Sequence, residues 1–185
     1  MPWTAYAPKL TPPNPPEADA DFPSSFYRPY EAAARSAMIL LEAIRADLIR
    51  MSGESSVRAI TFRLKSPASI RGKLLRKGLP ACAHAALNAL GDIAGLRVVL
   101  GSVDAVYRFA QLIVSSGMLE ITGVNDYIAF PKPSGYRSLH LLTRLTVNLD
   151  DQAYRIPVEI QLRTSAMDIW ASIEHAACYK PVVQV

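Results

Sequence analysis

From Ile156 to Arg163 the chain alternates: Ile156, Val158, Ile160 and Leu162 are apolar, and Glu159, Gln161 and Arg163 among them are polar. A period of two marks a β-strand, because successive side chains point to opposite faces of a sheet. Such a strand needs a layer over its apolar face, and its other face then presents a carboxylate, an amide and a guanidinium in a row. The pattern implies a sheet with one covered face and one polar face, which is either a place where chemical groups gather or an ordinary solvent-facing surface.

The remaining chain supplies the other layers. Ala34, Ala37, Leu41, Ile44, Leu48 and Met51 recur at steps of three and four, predicting a helix over about 30–51 that Ser52, Gly53 and Glu54 end. Val57 to Phe62 reads as a strand. Pro67 fits the first turn of a helix running to Lys77, with Gly78 as its stop. Ile93 to Leu100 is an apolar run interrupted by Arg97, a buried central strand. Val106, Tyr107, Ala110 and Ile113 predict a helix closing near Gly117. Strands over about 120–130, 137–147 and 154–163 follow, then a helix over about 164–180 with Ser165 as its N-cap. This order implies a mixed sheet of about five strands with helices packed against it, an α/β or α+β fold.

Eight of the fourteen prolines fall within residues 1–29, where fixed φ angles and missing amide donors oppose helix and central strand. The expected division is a proline-rich arm, 1–29, and one folded domain, 30–185. Half of the residues are hydrophobic and 19% are charged, which excludes a disordered chain. No apolar run is long enough to span a bilayer and the start lacks signal-peptide order, so the expected location is cytoplasmic, with no membrane partner. Cys82 and Cys178 lack metal-ligand spacing and read as buried free thiols. The net charge of +4 suits anionic partners, nucleotide and RNA or tRNA among them, and an ordinary solvated surface fits it equally.

Three segments concentrate chemistry. Arg63, Lys65, Ser66, Ser69, Arg71 and Lys73 surround a predicted helix start, where free N–H groups and cations favour a phosphate; a solvated basic helix fits the same residues. Asp92 at a strand end is suited to Mg²⁺ and Arg97 to a base or phosphate, although the two would equally make a salt bridge. Lys132, Tyr136, Arg137, Ser138 and His140 crowd a connection punctuated by Pro131, Pro133 and Gly135, more chemistry than a decorated turn requires. Ser138 and His140 share a strand face by the same count that groups Glu159, Gln161 and Arg163. If those strands are neighbours, all five side chains meet on the open face. Packing roles for His140 and His175, and a simple ion pair for Glu174, are the plainer alternatives.

In order and spacing these segments resemble the synthetase domains of the RelA/SpoT family: Arg63-x-Lys65-x-x-x-Ser69-x-x-x-Lys73, Asp92-Ile-Ala-Gly-Leu-Arg97, Lys132-Pro-Ser-Gly-Tyr136-Arg-Ser-Leu-His140, Glu159-Ile-Gln161-Leu-Arg163 and Trp170-x-x-x-Glu174-His175-x-x-x-Tyr179-Lys180. The length resembles the small alarmone synthetases. The resemblance implies a nucleotidyltransferase-like sheet and transfer of pyrophosphate from ATP to the ribose 3′-hydroxyl of GDP or GTP, giving (p)ppGpp and AMP. It implies that Arg63 and Arg97 sandwich adenine and that Lys65, Ser69 and Lys73 hold the ATP phosphates. Asp92 and Glu159 would bind Mg²⁺, with Glu159 also the base for the 3′-hydroxyl. Tyr136 would stack on guanine, with Lys132, Arg137, Ser138, His140, Gln161, Arg163 and Glu174 completing the acceptor site.

Long family members also carry a hydrolase built around a His-Asp pair; this sequence has no such dipeptide, so synthesis without degradation is the expectation. Small members continue with helical sequence after the Tyr-Lys pair that helps form a homotetramer, whereas only Pro181 to Val185 follow here, so the tetramer is not carried over. Two other functions fit part of the pattern: toxic transfer to tRNA 3′ ends or adenine nucleotides, and an inactive RNA-binding regulatory module. The intact Lys132 to His140 segment favours a free guanine nucleotide, and retention of Asp92, Tyr136 and Glu159 together favours activity.

Overall fold

The computed structural model describes residues 20–52 and 56–178, without the side chains of Ser52 and of residues 175–178. Most of the expected arm, the Gly53-Glu54 helix stop, the His175 and Cys178 side chains, and Tyr179 to Val185 lie outside the described residues. The elements are α1 (Ser24–Ser52), β1 (Val57–Leu64), α2 (Pro67–Arg76), α3 (Ala83–Ala89), β2 (Ala94–Leu100), α4 (Val103–Ser115), β3 (Glu120–Asp126), β4 (Leu139–Leu149), β5 (Gln152–Thr164) and α5 (Ser165–Cys178). They form an α+β fold around one five-stranded sheet of order β1-β2-β5-β4-β3. β2 and β5 run parallel and the other neighbours are antiparallel.

The alternation of β5 places it. Ile156, Val158, Ile160 and Leu162 are buried with Leu96, Val98 and Leu100 of β2 and Leu139 and Leu141 of β4. α1 and α4 cover that face with Ala34, Ala37, Leu41, Val106, Phe109 and Ile113. The small alanines let the α1 backbone lie close to the sheet. One polar side chain joins this layer: Thr143 is buried and its Oγ1 donates to the Val158 carbonyl at 2.7 Å.

Several boundaries differ from expectation for physical reasons. α1 starts at Ser24 rather than near residue 30 and takes in Pro29. Phe22, Phe26, Tyr27 and Tyr30 are buried there, with Phe26 within 5.4 Å of the Tyr30 ring centroid and Phe22 within 5.3 Å of Phe26. Burying four aromatic side chains at about 1.5–3 kcal/mol each outweighs the ~3 kcal/mol that an interior proline costs a helix. Phe22, Phe26, Tyr27 and Tyr30 therefore belong to the core and not to an arm. Burial also pushes the Tyr30 phenol up to about 12.

β4 and β5 run further toward each other than expected because Asp150 and Asp151, at φ 49° and 60°, close a two-residue hairpin. Aspartate tolerates that conformation without the glycine that would have advertised it. α3, alanine-rich and short, has no expected counterpart. At the start of α5 the capping hydroxyl is Thr164, whose Oγ1 accepts from Met167 N at 3.3 Å, and Ser165 is the first helical residue. α2 ends as foreseen: Gly78, at φ 68°, donates to the Leu75 carbonyl, and Leu79 donates to that of Leu74.

Ile160 sits fully buried at the centre of this layer. Ile160→Ala is expected to lower unfolding free energy by about 2–5 kcal/mol and Ile160→Val by about 0.5–1.5 kcal/mol, measured by urea denaturation. Equal, small losses from both would mean that the β5 core face is not packed as described.

Candidate active site

On the other face of the sheet, among the described residues, α5 crosses the central β2–β5 pair. Register places two rows of residues across all five strands: Arg63, Gly95, Glu159, Leu142 and Gly123 in one, and Thr61, Arg97, Gln161, His140 and Asn125 in the other. Gly95 contributes no side chain between Arg63 and Glu159, and a cavity of about 110 Å³ opens there. Its lining includes Thr61, Arg63, Asp92, Arg97, Glu159 and Gln161.

On the β1 side the phosphate-type residues converge. Ser66 is the N-cap of α2; its Oγ accepts from Ser69 N at 3.3 Å and donates to Ser69 Oγ at 3.0 Å. Lys65 Nζ and Lys73 Nζ reach the same oxygen, Asp92 Oδ2, at 2.5 and 2.6 Å. The salt bridge foreseen as an alternative, Asp92 with Arg97, does not form. Asp92 Oδ1 is buried with no hydrogen-bond partner among the described residues. Burial pushes the Asp92 carboxyl up, but the bonds from Lys65 and Lys73 outweigh it and hold the group below the usual aspartate range. Burial, together with the Lys73 and Arg63 charges, pulls the Lys65 ammonium below the usual lysine range despite its bond to Asp92.

Glu159 lies between this cluster and β4. Its Oε1 accepts from Gln161 Nε2 at 2.5 Å and its Oε2 is 3.5 Å from His140 Nδ1. Burial raises its carboxyl, and the His140 and Gln161 contacts lower it further than burial raises it, so it is ionised at neutral pH. The free Asp92 oxygen and the Glu159 carboxylate are oxygen donors suited to a hard divalent cation, which keeps its other positions for water or phosphate.

Beyond Glu159 stands an aromatic group. The Tyr136 hydroxyl is 2.8 Å from His140 Nε2 and accepts from Arg163 at 2.7 Å. Lys132 Nζ lies 4.9 Å from the Tyr136 ring centroid and 4.6 Å from that of Tyr127. Tyr127 also meets His140 edge-on at 5.1 Å. The loop that carries Tyr136 needs its glycine: Gly135 has φ 86°, and a Cβ there would lie 3.3 Å from Trp170 of α5.

Most of the residues singled out in the sequence lie together on this face, and three lie apart from the cluster. Arg63, Lys65, Ser69, Lys73, Asp92 and Arg97 gather on the β1–β2 side, and Lys132, Tyr136, His140, Gln161 and Arg163 on the β4–β5 side. Ser138 leaves the set: it is fully buried and its hydroxyl is spent on the Leu162 carbonyl at 3.2 Å. Arg137 is exposed, Glu174 is half-buried, and among the described residues no hydrogen bond or ion pair joins either to the cluster. His140 is buried, yet it is a member of the cluster as well as a packing residue. Two residues went unforeseen. Tyr127 was visible only as an aromatic nine residues from Tyr136. Asp168, whose Oδ1 lies 3.2 Å from both Arg97 and Arg163, was visible only as an acid in the first turn of α5.

Fold and cavity together define an α+β protein whose sheet face has a chemistry suited to a polyanion: cations and a helix N-terminus on one side, an aromatic platform on the other, carboxylates between. A profile described as a region found in RelA / SpoT proteins matches residues 62–183, and the chain belongs to that family. It is 40% identical over 128 residues to the GTP pyrophosphokinase YwaC of Bacillus subtilis (strain 168), covering 69% of this chain and 61% of that protein. It is 35% identical over 155 residues to the GTP pyrophosphokinase YjbM of the same organism, covering 84% and 72%. The chain thus spans less than two thirds of the first relative's length. Its fold superposes on that of small alarmone synthetase 1 from Bacillus subtilis bound to its product pppGpp, with TM-score 0.78 and 34% identity over 87% of this chain and 81% of that one. Among the described residues no helix is long and apolar enough to cross a membrane.

Removing one of the two ammonium groups should release Asp92. Lys73→Met is expected to move the Asp92 carboxyl upward, read by carbon-detected NMR titration; an unmoved titration would contradict the shared-oxygen geometry. Because the folded carboxyl is depressed, its bonds stabilise the fold above the unfolded value of about 3.9, and that contribution is lost as pH falls through the folded value. The variant should therefore show a shallower acid limb of stability than the parent.

Proposed function

We propose that this protein transfers pyrophosphate from ATP to the ribose 3′-hydroxyl of GDP or GTP, forming (p)ppGpp and AMP. The observation that carries the reading is the position of Glu159, with a cation-rich helix start on one side of it and an aromatic, basic platform on the other, all on one sheet face. The relatives described as GTP pyrophosphokinases and the similarity to a synthetase bound to pppGpp support it.

In this reading Ser69, Lys65, Lys73 and the first amides of α2 hold the donor phosphates. Lys65 and Lys73 exchange Asp92 for phosphate oxygens, a change favoured for Lys65 because its ammonium is already poorly solvated. Arg63 and Arg97 offer flat guanidinium faces to the adenine. Tyr136 supplies a stacking surface for guanine, and Lys132 and His140 lie beside it for the acceptor phosphates. Glu159, ionised and fixed by Gln161, accepts the hydrogen bond of the 3′-hydroxyl, aligns its oxygen with the β-phosphorus and takes up its proton as the new bond forms. The new bond joins that oxygen to phosphorus, the α–β bridge breaks, and AMP departs with the bridging oxygen. Alignment supplies much of the rate, as in phosphoryl transfer generally.

The orphaned Asp92 Oδ1 facing the same cavity as Glu159 fits Mg²⁺, which binds through one or two carboxylates and substrate phosphates. When bound, Mg²⁺ neutralises charge developing on the phosphate oxygens.

Purified protein supplied with Mg²⁺ and ATP labelled in its β-phosphate, and offered GDP, GTP, ATP or deacylated tRNA separately, should label the guanine nucleotide. Label on tRNA or on an adenine nucleotide alone would overturn the acceptor assignment, and label on none would overturn the activity.

A further inference from the structure

Asp168 stands outside the chemistry above, yet it touches both halves of the site. Its Oδ1 lies 3.2 Å from Arg97 NH1 of β2 and 3.2 Å from Arg163 NH1 of β5. Arg97 belongs to the donor side. Arg163 donates its other nitrogen to the Tyr136 hydroxyl at 2.7 Å and to Gln161 Oε1 at 2.5 Å, and its guanidinium lies 5.2 Å from the Tyr136 ring centroid. A continuous path of contacts therefore runs from Arg97 through Asp168 and Arg163 to the acceptor platform.

We infer that Asp168 is a positioning residue that ties the two nucleotide sites together, holding Arg97 toward the donor base and Arg163 beneath Tyr136 with one carboxylate.

Three features support the assignment. The arginines are like charges on adjacent strands, and each has a buried Nε without a hydrogen-bond partner among the described residues. Burial and the Arg163 charge both act to lower the Arg97 pKa, and the Asp168 charge opposes them. The carboxylate is itself placed by α5: it lies in the helix's first turn, capped by Thr164, where a negative charge is favoured. Its position is thus set by the backbone and imposed on the arginines rather than chosen by them. Two residues on, Trp170 packs against Gly135 in the loop before Tyr136, so the same turn of helix braces the acceptor loop from a second point.

The inference rests on the functional reading for what the two sites bind, but its test reads affinity directly. Binding of a non-hydrolysable ATP analogue and of GDP would be measured by calorimetry for the parent, Asp168→Ala and Asp168→Asn, beside KM and kcat. Loss of a charged hydrogen-bond partner shared by two sites should weaken both affinities by roughly ten-fold, with kcat at saturation changed less. Asp168→Glu should recover part of both. Should Asp168→Ala lose its fold by circular dichroism, Asp168→Asn, of the same shape, carries the test. A change at one site only, no change at either, or a fall in thermal stability with both affinities intact would overturn the inference. Failure of the parent protein to make product would instead defeat the functional reading, while the two affinities would still decide the role of Asp168.

Discussion

The parallel pairing of β2 with β5 is the constraint on which the rest depends. Its register sets Gly95 beside Glu159 and Arg97 beside Gln161. A slip of one residue would turn Glu159 and Arg97 into the layer under α1 and α4 and turn Leu96 and Ile160 out of it. The apolar alternation that makes the core is therefore the same device that assembles the site. No separate element has to bring the carboxylate and the arginine together.

On that frame the charges hold one another in place. Two lysines share one oxygen of Asp92, two arginines share one oxygen of Asp168, and Glu159 is held by an amide and an imidazole. Lys65 and Lys73 have in Asp92 a carboxylate partner that a phosphate can replace, so in the proposed function the donor phosphates enter there by exchange rather than by filling an unpaired field. This limits the cost of keeping partly buried charges in the absence of ligand. It also fixes side-chain positions beforehand, which lowers the entropy lost on binding.

The sequence made the sheet legible because β5 alternates so cleanly and because β2 and α4 have unambiguous apolar patterns. It made much of the site legible because Lys65, Ser69, Lys73, Asp92, Tyr136, His140 and Glu159 fall in motifs with fixed spacing. What it hid has local causes. Pro29 concealed a helical start that is held by aromatic burial, which no proline rule registers. Asp150 and Asp151 concealed a tight hairpin because neither is glycine. Ser138 looked available because period-two counting extended β4 backward through a residue that precedes it and bonds to a backbone carbonyl. Asp168 was hidden because a lone acid on an amphipathic helix carries no pattern; only the crossing of α5 over β2 and β5 gives it two arginines.

In the proposed function Glu159 stands between two prebuilt nucleotide sites and acts on the reaction rather than on binding. Glu159→Gln keeps the shape and the Gln161 neighbour while removing the charge. Calorimetry for the two nucleotides separately, followed by single-turnover transfer from labelled ATP to GDP in the same preparation, tests this directly. Affinities within about threefold of the parent are expected, with a transfer rate lower by about a hundredfold or more, the range for a positioned acid–base group. Transfer at the parental rate in a folded Glu159→Gln protein, or loss of nucleotide binding in proportion to loss of rate, would contradict it.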